Sequence, residues 1–260
     1  MSVLDAFRLD GQTAVVTGAG RGLGKRMATG LAEAGADVAI ADIDADNGAE
    51  TATTIADATG VETTAVRTDV TDEAAVEAMV DHVTDELGPV DVLVNNAGIV
   101  ENAPAESMTA DEWQRVIDVN LTGVFQCAKH VGAQLLDRGV AGAIINIASM
   151  SGYIANFPQP QAGYNASKSG VAGLTRSLAS EWAGEGIRVN AIAPGYMRTD
   201  MVDRTLADRP EMEETWLSDT PMGRLGRPRE LKPVAVFLAS EASSYMTGEV
   251  VFVDGGFTIR

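Results

Sequence analysis

The chain has 260 residues, with 19 Lys and Arg against 37 Asp and Glu, for a formal charge of -18 at pH 7. Such a charge repels phosphate backbones and anionic lipid, so neither nucleic acid nor a membrane surface is an expected partner. Its 45% hydrophobic and 22% charged residues suit a globular protein with a sizeable core and exclude collagen-like repeats, coiled coils and wholesale disorder.

The first predicted strand is QTAVVT (12–17), followed by a helix over 23–34. DVAIAD (37–42) and a helix over 46–59 come next, then ETTAVR (62–67) and a helix over 72–87. VDVLVN (90–95) leads to a long helix over 111–137, GAIINIA (142–148) to one over 163–185, and IRVNAIA (187–193) to one over 229–240. EVVFVD (249–254) is the seventh strand. Most of these strands are apolar at consecutive positions, as strands covered by helices on both sides are. Helix ends are marked by Thr71 ahead of Asp72 and Glu73, and by Gly35, Gly60 and Gly88. Strand and helix alternating in this way form βαβ units with right-handed crossovers. The expected fold is α/β: one doubly wound Rossmann-type domain over 1–260, with a seven-stranded parallel sheet and helices on both faces. The segment 195–227 contains no strand and reads as a helical excursion, a substrate lid over about 196–227.

Cys127 is the one cysteine, which leaves no intrachain disulfide and no Cys-rich metal site. His82 and His130 stand in helix patterns without a ligand cluster, so no metal is expected. The opening MSVLDAFRLDG lacks a basic start and apolar run. The uncharged stretch between Arg138 and Lys168 is broken too often by Gly, Asn, Gln and Pro to supply the roughly 20 apolar residues of a membrane span. These features point to a soluble, cytoplasmic protein. The 15 Arg, 4 Lys and many Asp resemble the composition of proteins adapted to high salt, where self-repulsion is screened.

After the first strand stands Thr17-Gly18-Ala19-Gly20-Arg21-Gly22-Leu23-Gly24, which opens a helix. Glycines let the backbone turn and approach a pyrophosphate, while free N–H groups and the helix dipole stabilise the anion. Asp42 ends the second strand, 24 residues beyond Gly18, where a carboxylate accepts from both ribose hydroxyls of an adenosine and repels a 2′-phosphate. That favours NAD over NADP. Arg21, a cation in the glycine loop, is the feature that would partly neutralise such a phosphate.

The spacing Thr-Gly-x-x-x-Gly-x-Gly resembles the short-chain dehydrogenases/reductases. Asn95-Asn96-Ala97-Gly98, Asn120, Ser149, Tyr164-x-x-x-Lys168, Pro194-Gly195 and Thr199 follow in that family's order, over about Leu9 to Ile259. The resemblance implies a catalytic set of Asn120, Ser149, Tyr164 and Lys168. Tyr164 and Lys168 are four residues apart and share a helix face. An ammonium beside the phenol is expected to favour its ionised form, making Tyr164 the acid/base. Lys168 would also hold the nicotinamide ribose, and Ser149 would stabilise charge on the reacting oxygen. Asn120 would hold a helix irregularity. Ser151 is the rival serine, because it stands 13 residues before Tyr164, a spacing common in the family. The implied cofactor contacts are Gly18, Gly20, Arg21, Gly22, Leu23, Gly24, Asp42 and Ile43, then Asp69 and Val70 on the adenine side. Asn96, Ala97 and Gly98 form a wall, with Tyr164, Lys168, Pro194, Gly195, Met197 and Thr199 completing the set.

Ser149-Met150-Ser151-Gly152 with Asn156, Pro158 and Gln159, and later Glu214-Thr215-Trp216, look like the polyol and sugar dehydrogenase branch. Buried substrate hydroxyls need partners, which Ser151, Asn156 and Gln159 could supply. A 3-oxoacyl reductase is the nearest enzyme alternative, but Asp42 and the acidic surface oppose NADPH and an acidic carrier protein. A non-catalytic dinucleotide-binding protein is a second alternative, which the retained Tyr and Lys oppose. The family resemblance further implies a homotetramer.

Overall fold

Consecutive apolar residues build the strands, and alternate side chains then divide between the two faces of the sheet. The computed structural model describes residues 2–259. Its strands are β1 Thr13–Thr17, β2 Asp37–Asp42, β3 Thr63–Arg67, β4 Val92–Asn95, β5 Gly142–Ile147, β6 Ile187–Pro194 and β7 Val250–Val253. They form one sheet in the order β3-β2-β1-β4-β5-β6-β7, every pair parallel. The chain runs outward from β1 through β2 to β3 and returns to β4 on the other side of β1. A crevice therefore opens between β1 and β4 at their carboxyl ends.

The helices are α1 Gly22–Glu33, α2 Ala45–Thr59, α3 Glu73–Leu87, α4 Ala110–Ile117, α5 Gly123–Arg138, α6 Ala162–Trp182, α7 Asp200–Asp208, α8 Glu211–Asp219 and α9 Lys232–Ala239. Ala14, Val16, Val38 and Ile40 face a core shared with Met27 and Leu31 of α1 and Leu238 of α9. Val15, Ala39 and Ala41 face the opposite core, made with Met79 and Val83 of α3 and Val131 and Leu135 of α5. The alternation inside each apolar run thus assigns each residue to one of two layers.

Three local expectations are corrected. The helix expected as one span over 111–137 is divided into α4 and α5 by a π-helical turn, Asp118–Thr122, which contains Asn120 and is the irregularity that the family resemblance implied there. Asp72, not Thr71, caps α3 by accepting from the Ala74 N–H at 3.0 Å, whereas the Thr71 hydroxyl donates to Asp69 at 2.7 Å. The helix expected over 229–240 begins as a 3-10 turn, Pro228–Leu231, because Pro233 has no N–H to donate to the Arg229 carbonyl four residues back. Segment 195–227 is helical, as α7 and α8, with its own small core of Leu206, Met212, Trp216 and Leu225.

No Asp or Glu is buried among the described residues, so the acidic excess is carried by solvated groups. If that excess reflects adaptation to salt, the unfolding midpoint should rise steadily from low to multimolar KCl as screening removes self-repulsion. Equal stability without added salt would rule that adaptation out.

Candidate active site

The glycine loop is built by close backbone approaches. The Gly18 N–H donates to the Ala41 carbonyl at 2.7 Å, and Gly18 takes φ +62°, a left-handed conformation suited to glycine. A Cβ at Gly24 would lie 2.4 Å from the Gly18 carbonyl oxygen and 2.5 Å from Asn96 Nδ2, so a side chain cannot stand there without moving the loop. Asn96 Nδ2 donates to the carbonyls of Thr17 at 2.9 Å and Gly18 at 2.8 Å. Thr17 Oγ1 in turn accepts from the N–H groups of Asn96 and Ala97. The segment after β4 is therefore fastened to the loop after β1. Asn96 was expected as a wall residue, but its amide is committed to this latch.

Asp42 lies beside the loop, its Oδ2 accepting from the Gly20 N–H at 2.7 Å and its Oδ1 from the Asp44 N–H at 3.0 Å. Asp44 is the N-cap of α2. Asp42 is thus free of the capping role, and a carboxylate with two engaged contacts retains acceptor sites. Ile43 is exposed and Leu23 packs on the core. A cleft of about 650 Å³ opens next to Gly20 and Gly22, lined by Arg21, Lys25 and Arg26 from one side and Arg227 and Arg229 from another. Asp69 accepts from the Thr71 N–H at 3.0 Å, and Val70 is buried against Gly123. A glycine cradle, a carboxylate at the end of β2 and a cationic rim together fit a dinucleotide.

The strand ends place the remaining groups. Ser149 follows β5, and its Oγ accepts from the Ser151 N–H at 3.1 Å. Tyr164 and Lys168 project from α6 one turn apart, with Lys168 Nζ 5.7 Å from the phenol ring centre. Lys168 is buried and donates to the Ile147 carbonyl at 2.7 Å. Asn120 is fully buried in the π-helical turn. It accepts from the Ile99 N–H at 2.8 Å and donates to the Ile99 carbonyl at 2.9 Å and Ser167 Oγ at 3.1 Å. Ser167 Oγ then donates to the Tyr164 carbonyl at 2.7 Å. Asn120 thereby ties the turn to the chain after β4 and to the helical turn that carries Tyr164. A Cβ at Gly98 would sit 3.3 Å from Asn120 Oδ1 and 3.6 Å from Lys168 Nζ, which brings the segments into one place.

The electrostatics depart from expectation. Burial raises the Tyr164 phenol above its ordinary pKa, and a hydrogen bond with Ser149 acts in the opposite direction. Burial also lowers the Lys168 ammonium to about 8. The protein by itself therefore keeps the phenol protonated, because burial disfavours its charged form. Of the two serines, Ser149 is the one whose hydrogen bond bears on the Tyr164 phenol, while Ser151 is buried with its Oγ 3.4 Å from Gln161 Nε2.

Gly195 follows Pro194 and packs so closely that a Cβ would lie 2.7 Å from the Asp254 Cα. Met197 is buried in the core with its sulfur against Gly226, so its side chain turns away from the cleft. Thr199 caps α7, accepting from the Val202 N–H at 3.3 Å. Asn156 Nδ2 and Gln159 Nε2 both donate to the Tyr196 hydroxyl at 3.0 Å, so two of the three expected substrate groups meet on a residue that sequence reasoning passed over. Tyr196 also stacks on Trp216 with ring centres 4.1 Å apart. The available signal was an aromatic next to Pro-Gly in a chain with only 5% aromatics. No cluster of His, Cys, Asp or Glu suited to a metal occurs among the described residues. No helix there is long and apolar enough to cross a membrane.

The family model described as enoyl-(acyl carrier protein) reductase matches residues 18–258. Galactitol 2-dehydrogenase from Rhizobium johnstonii is 48% identical over 260 residues, covering 99% of both proteins. Among solved structures, a short-chain type dehydrogenase/reductase from Mycobacterium marinum superimposes with TM-score 0.94 at 43% identity over 100% of both chains. A gluconate 5-dehydrogenase from Burkholderia cenocepacia J2315, in complex with NADP and tartrate, does so with TM-score 0.94 at 40% identity, also over 100% of both. With the sheet order, the glycine cradle and the Ser149, Tyr164 and Lys168 cluster, these likenesses make the chain a member of the short-chain dehydrogenase/reductase family, an NAD(P)-dependent oxidoreductase acting on CH–OH groups.

Proposed function

We propose that this enzyme interconverts a secondary alcohol and ketone on a polyol, sugar or sugar acid, with NAD as the preferred dinucleotide. The observation that carries the reading is the convergence of Ser149, Tyr164 and Lys168 beside a dinucleotide cradle that has a carboxylate at its ribose end. NAD(P), when bound, supplies the hydride acceptor at its nicotinamide ring. Tyr164 takes the proton from the substrate hydroxyl, and Ser149 donates to the same oxygen and stabilises its developing charge. Lys168 holds positive charge one turn below the phenol, and Asn120 sets that turn through Ser167. The names of the relatives support a polyol or sugar-acid substrate, as does the amide-rich segment 156–161. The segment 196–227 serves as the lid.

The NAD preference rests on Asp42, which would stand against a 2′-phosphate. A second reading, acceptance of NADP, is favoured by Arg21, Lys25 and Arg26 on the adjoining cleft and by the NADP bound in the Burkholderia structure. Removal of the carboxylate in Asp42→Ala is expected to lower the ratio of kcat/KM with NAD to that with NADP roughly tenfold or more, since a hydrogen bond to a charged group is worth about 1.5–3 kcal/mol. An unaltered ratio would exclude the ribose contact. Turnover of a panel of polyols, sugars, sugar acids and 3-oxoacyl thioesters with both dinucleotides tests the whole reading, and turnover of the thioesters alone would reverse it.

A homotetramer is inferred from the family. Exposed aromatics on α5 (Phe125) and on the edge strand β7 (Phe252) support covered faces there. The cytoplasm is the proposed place of action.

A further inference from the structure

Segment 156–161 and the start of 195–227 form a directed chain of hydrogen bonds whose two ends have no freedom of role. At one end the Ile154 carbonyl, an acceptor only, takes a hydrogen bond from Asn165 Nδ2 at 3.3 Å. That turns Asn165 Oδ1 toward Gln161, whose Nε2 donates to it at 3.0 Å and to Asn156 Oδ1 at 2.9 Å. Asn156 is thereby left with its amide N–H group facing the Tyr196 hydroxyl at 3.0 Å. At the other end the Trp216 indole, a donor only, donates to Gln159 Oε1 at 3.3 Å. Gln159 must therefore also offer its N–H group to the Tyr196 hydroxyl at 3.0 Å.

Both chains of amides end on one phenolic oxygen, and both arrive as donors. Two N–H groups occupy its acceptor positions, so its own proton must point to a third partner. No protein acceptor takes that proton among the described residues. We propose that Tyr196 is a specificity-determining residue whose phenolic proton is held for an oxygen of the substrate on a carbon other than the one oxidised. The inference rests on the polyol or sugar-acid reading and names the group that recognises the extra oxygens.

The placement suits this task. Tyr196 stands two residues beyond β6, which pairs with β5 in the register Ile147 to Ile192, and β5 leads directly to Ser149. The amides that orient Tyr196 belong to the loop between Ser149 and α6. Gln161 Nε2, its two N–H groups engaged by Asn165 and Asn156, also lies 3.4 Å from Ser151 Oγ, and the Ser151 N–H donates to Ser149 Oγ, so the network adjoins the reacting serine. The ring is fixed by stacking on Trp216 and by an edge contact with Phe257. Burial raises the phenol above its ordinary pKa, which keeps the proton in place. Asn156 and Gln159, expected as substrate ligands, act here as positioning residues.

The test compares a polyol such as galactitol with a monohydric secondary alcohol such as cyclohexanol, which has no second oxygen. In Tyr196→Phe the ring and its stack remain and only the donor is lost. The ratio of kcat/KM for galactitol to that for cyclohexanol should fall roughly tenfold, the worth of about one net hydrogen bond, with the change in KM rather than kcat. Gln159→Glu should produce the same selective fall with the phenol present, because a carboxylate would draw the Tyr196 proton to itself. A residue that merely supports the loop would reduce both substrates together and leave the ratio unchanged, which would overturn the assignment. A wild type that turns over cyclohexanol but no polyol or sugar acid would instead overturn the substrate reading, and the Tyr196 assignment with it.

Discussion

Tyr164→Phe is expected to lower kcat by about 10²- to 10⁴-fold, the range spanned by positioned acid/base groups, while dinucleotide binding measured by fluorescence stays close to wild type. The ring that packs in the cleft is kept, and only the proton carrier is removed. Retained turnover would take the role away from this residue. A companion titration reports the electrostatics directly. Burial holds the phenol above its ordinary pKa in the protein alone, so the ultraviolet phenolate signal lost in Tyr164→Phe should appear only in strongly alkaline solution. Saturation with oxidised dinucleotide should move that signal to lower pH, since a cation beside the phenol favours its charged form. A signal already present near neutral pH without dinucleotide would contradict the raised pKa.

Lys168→Met should separate activity from stability. Turnover is expected to fall by about 10²-fold or more, because the phenol loses its neighbouring charge. Stability should move the other way, or hold. With a folded pKa of about 8 against an unfolded 10.5, keeping the ammonium charged at pH 7 costs about 3 kcal/mol. Leaving the Ile147 carbonyl unpaired in the variant costs about 1–3 kcal/mol. The sign of the pH dependence follows. Between about pH 8 and 10.5 the unfolded chain still holds a proton that the folded chain has shed, so this group makes the wild type more stable as pH rises. Any thermal advantage of the variant at pH 7 should therefore shrink across that interval. Thermal unfolding of both proteins from pH 7 to 10.5 checks this, and a large loss of stability in the variant at pH 7 would show that the buried charge is not a burden.

The fold was legible because each strand is a run of residues that can be buried on both faces, and each run is followed by a helical pattern. Strand ends were less so. Val90 extends the apolar run 90–95, yet β4 begins at Val92, because the Val90 N–H is taken by the Gln134 side chain at 2.8 Å rather than by a neighbouring strand. The π-helical turn was not read from the periodicity, because the segment before it, α4, is only Ala110–Ile117, too short a pattern for the roughly 100° shift of one added residue to stand out. Asn120 entered through family resemblance instead.

At the site, spacing was enough to bring Tyr164 and Lys168 to one helix face, but not to give their charges. Those depend on how deeply Lys168 Nζ sits and on the Ile147 carbonyl it meets, neither of which a sequence displays. Asp42 and Asp44 are chemically alike and stand two residues apart, one ending β2 and the other preceding α2, and only the structure assigns the cap to Asp44. Tyr196 was missed for a related reason. Its partners come from segments 156–159 and from Trp216, and no local pattern joins them.

The latch from Asn96 to the Gly18 carbonyl joins groups 78 residues apart in sequence. A chain that ends after β2 holds every glycine of the loop and two of its ties, from the Gly18 N–H to Ala41 and from the Gly20 N–H to Asp42, but lacks this one. The loop's ties are therefore complete only when β4, Val92–Asn95, has docked beside β1, so the phosphate cradle is a product of tertiary assembly and not of its own glycines alone.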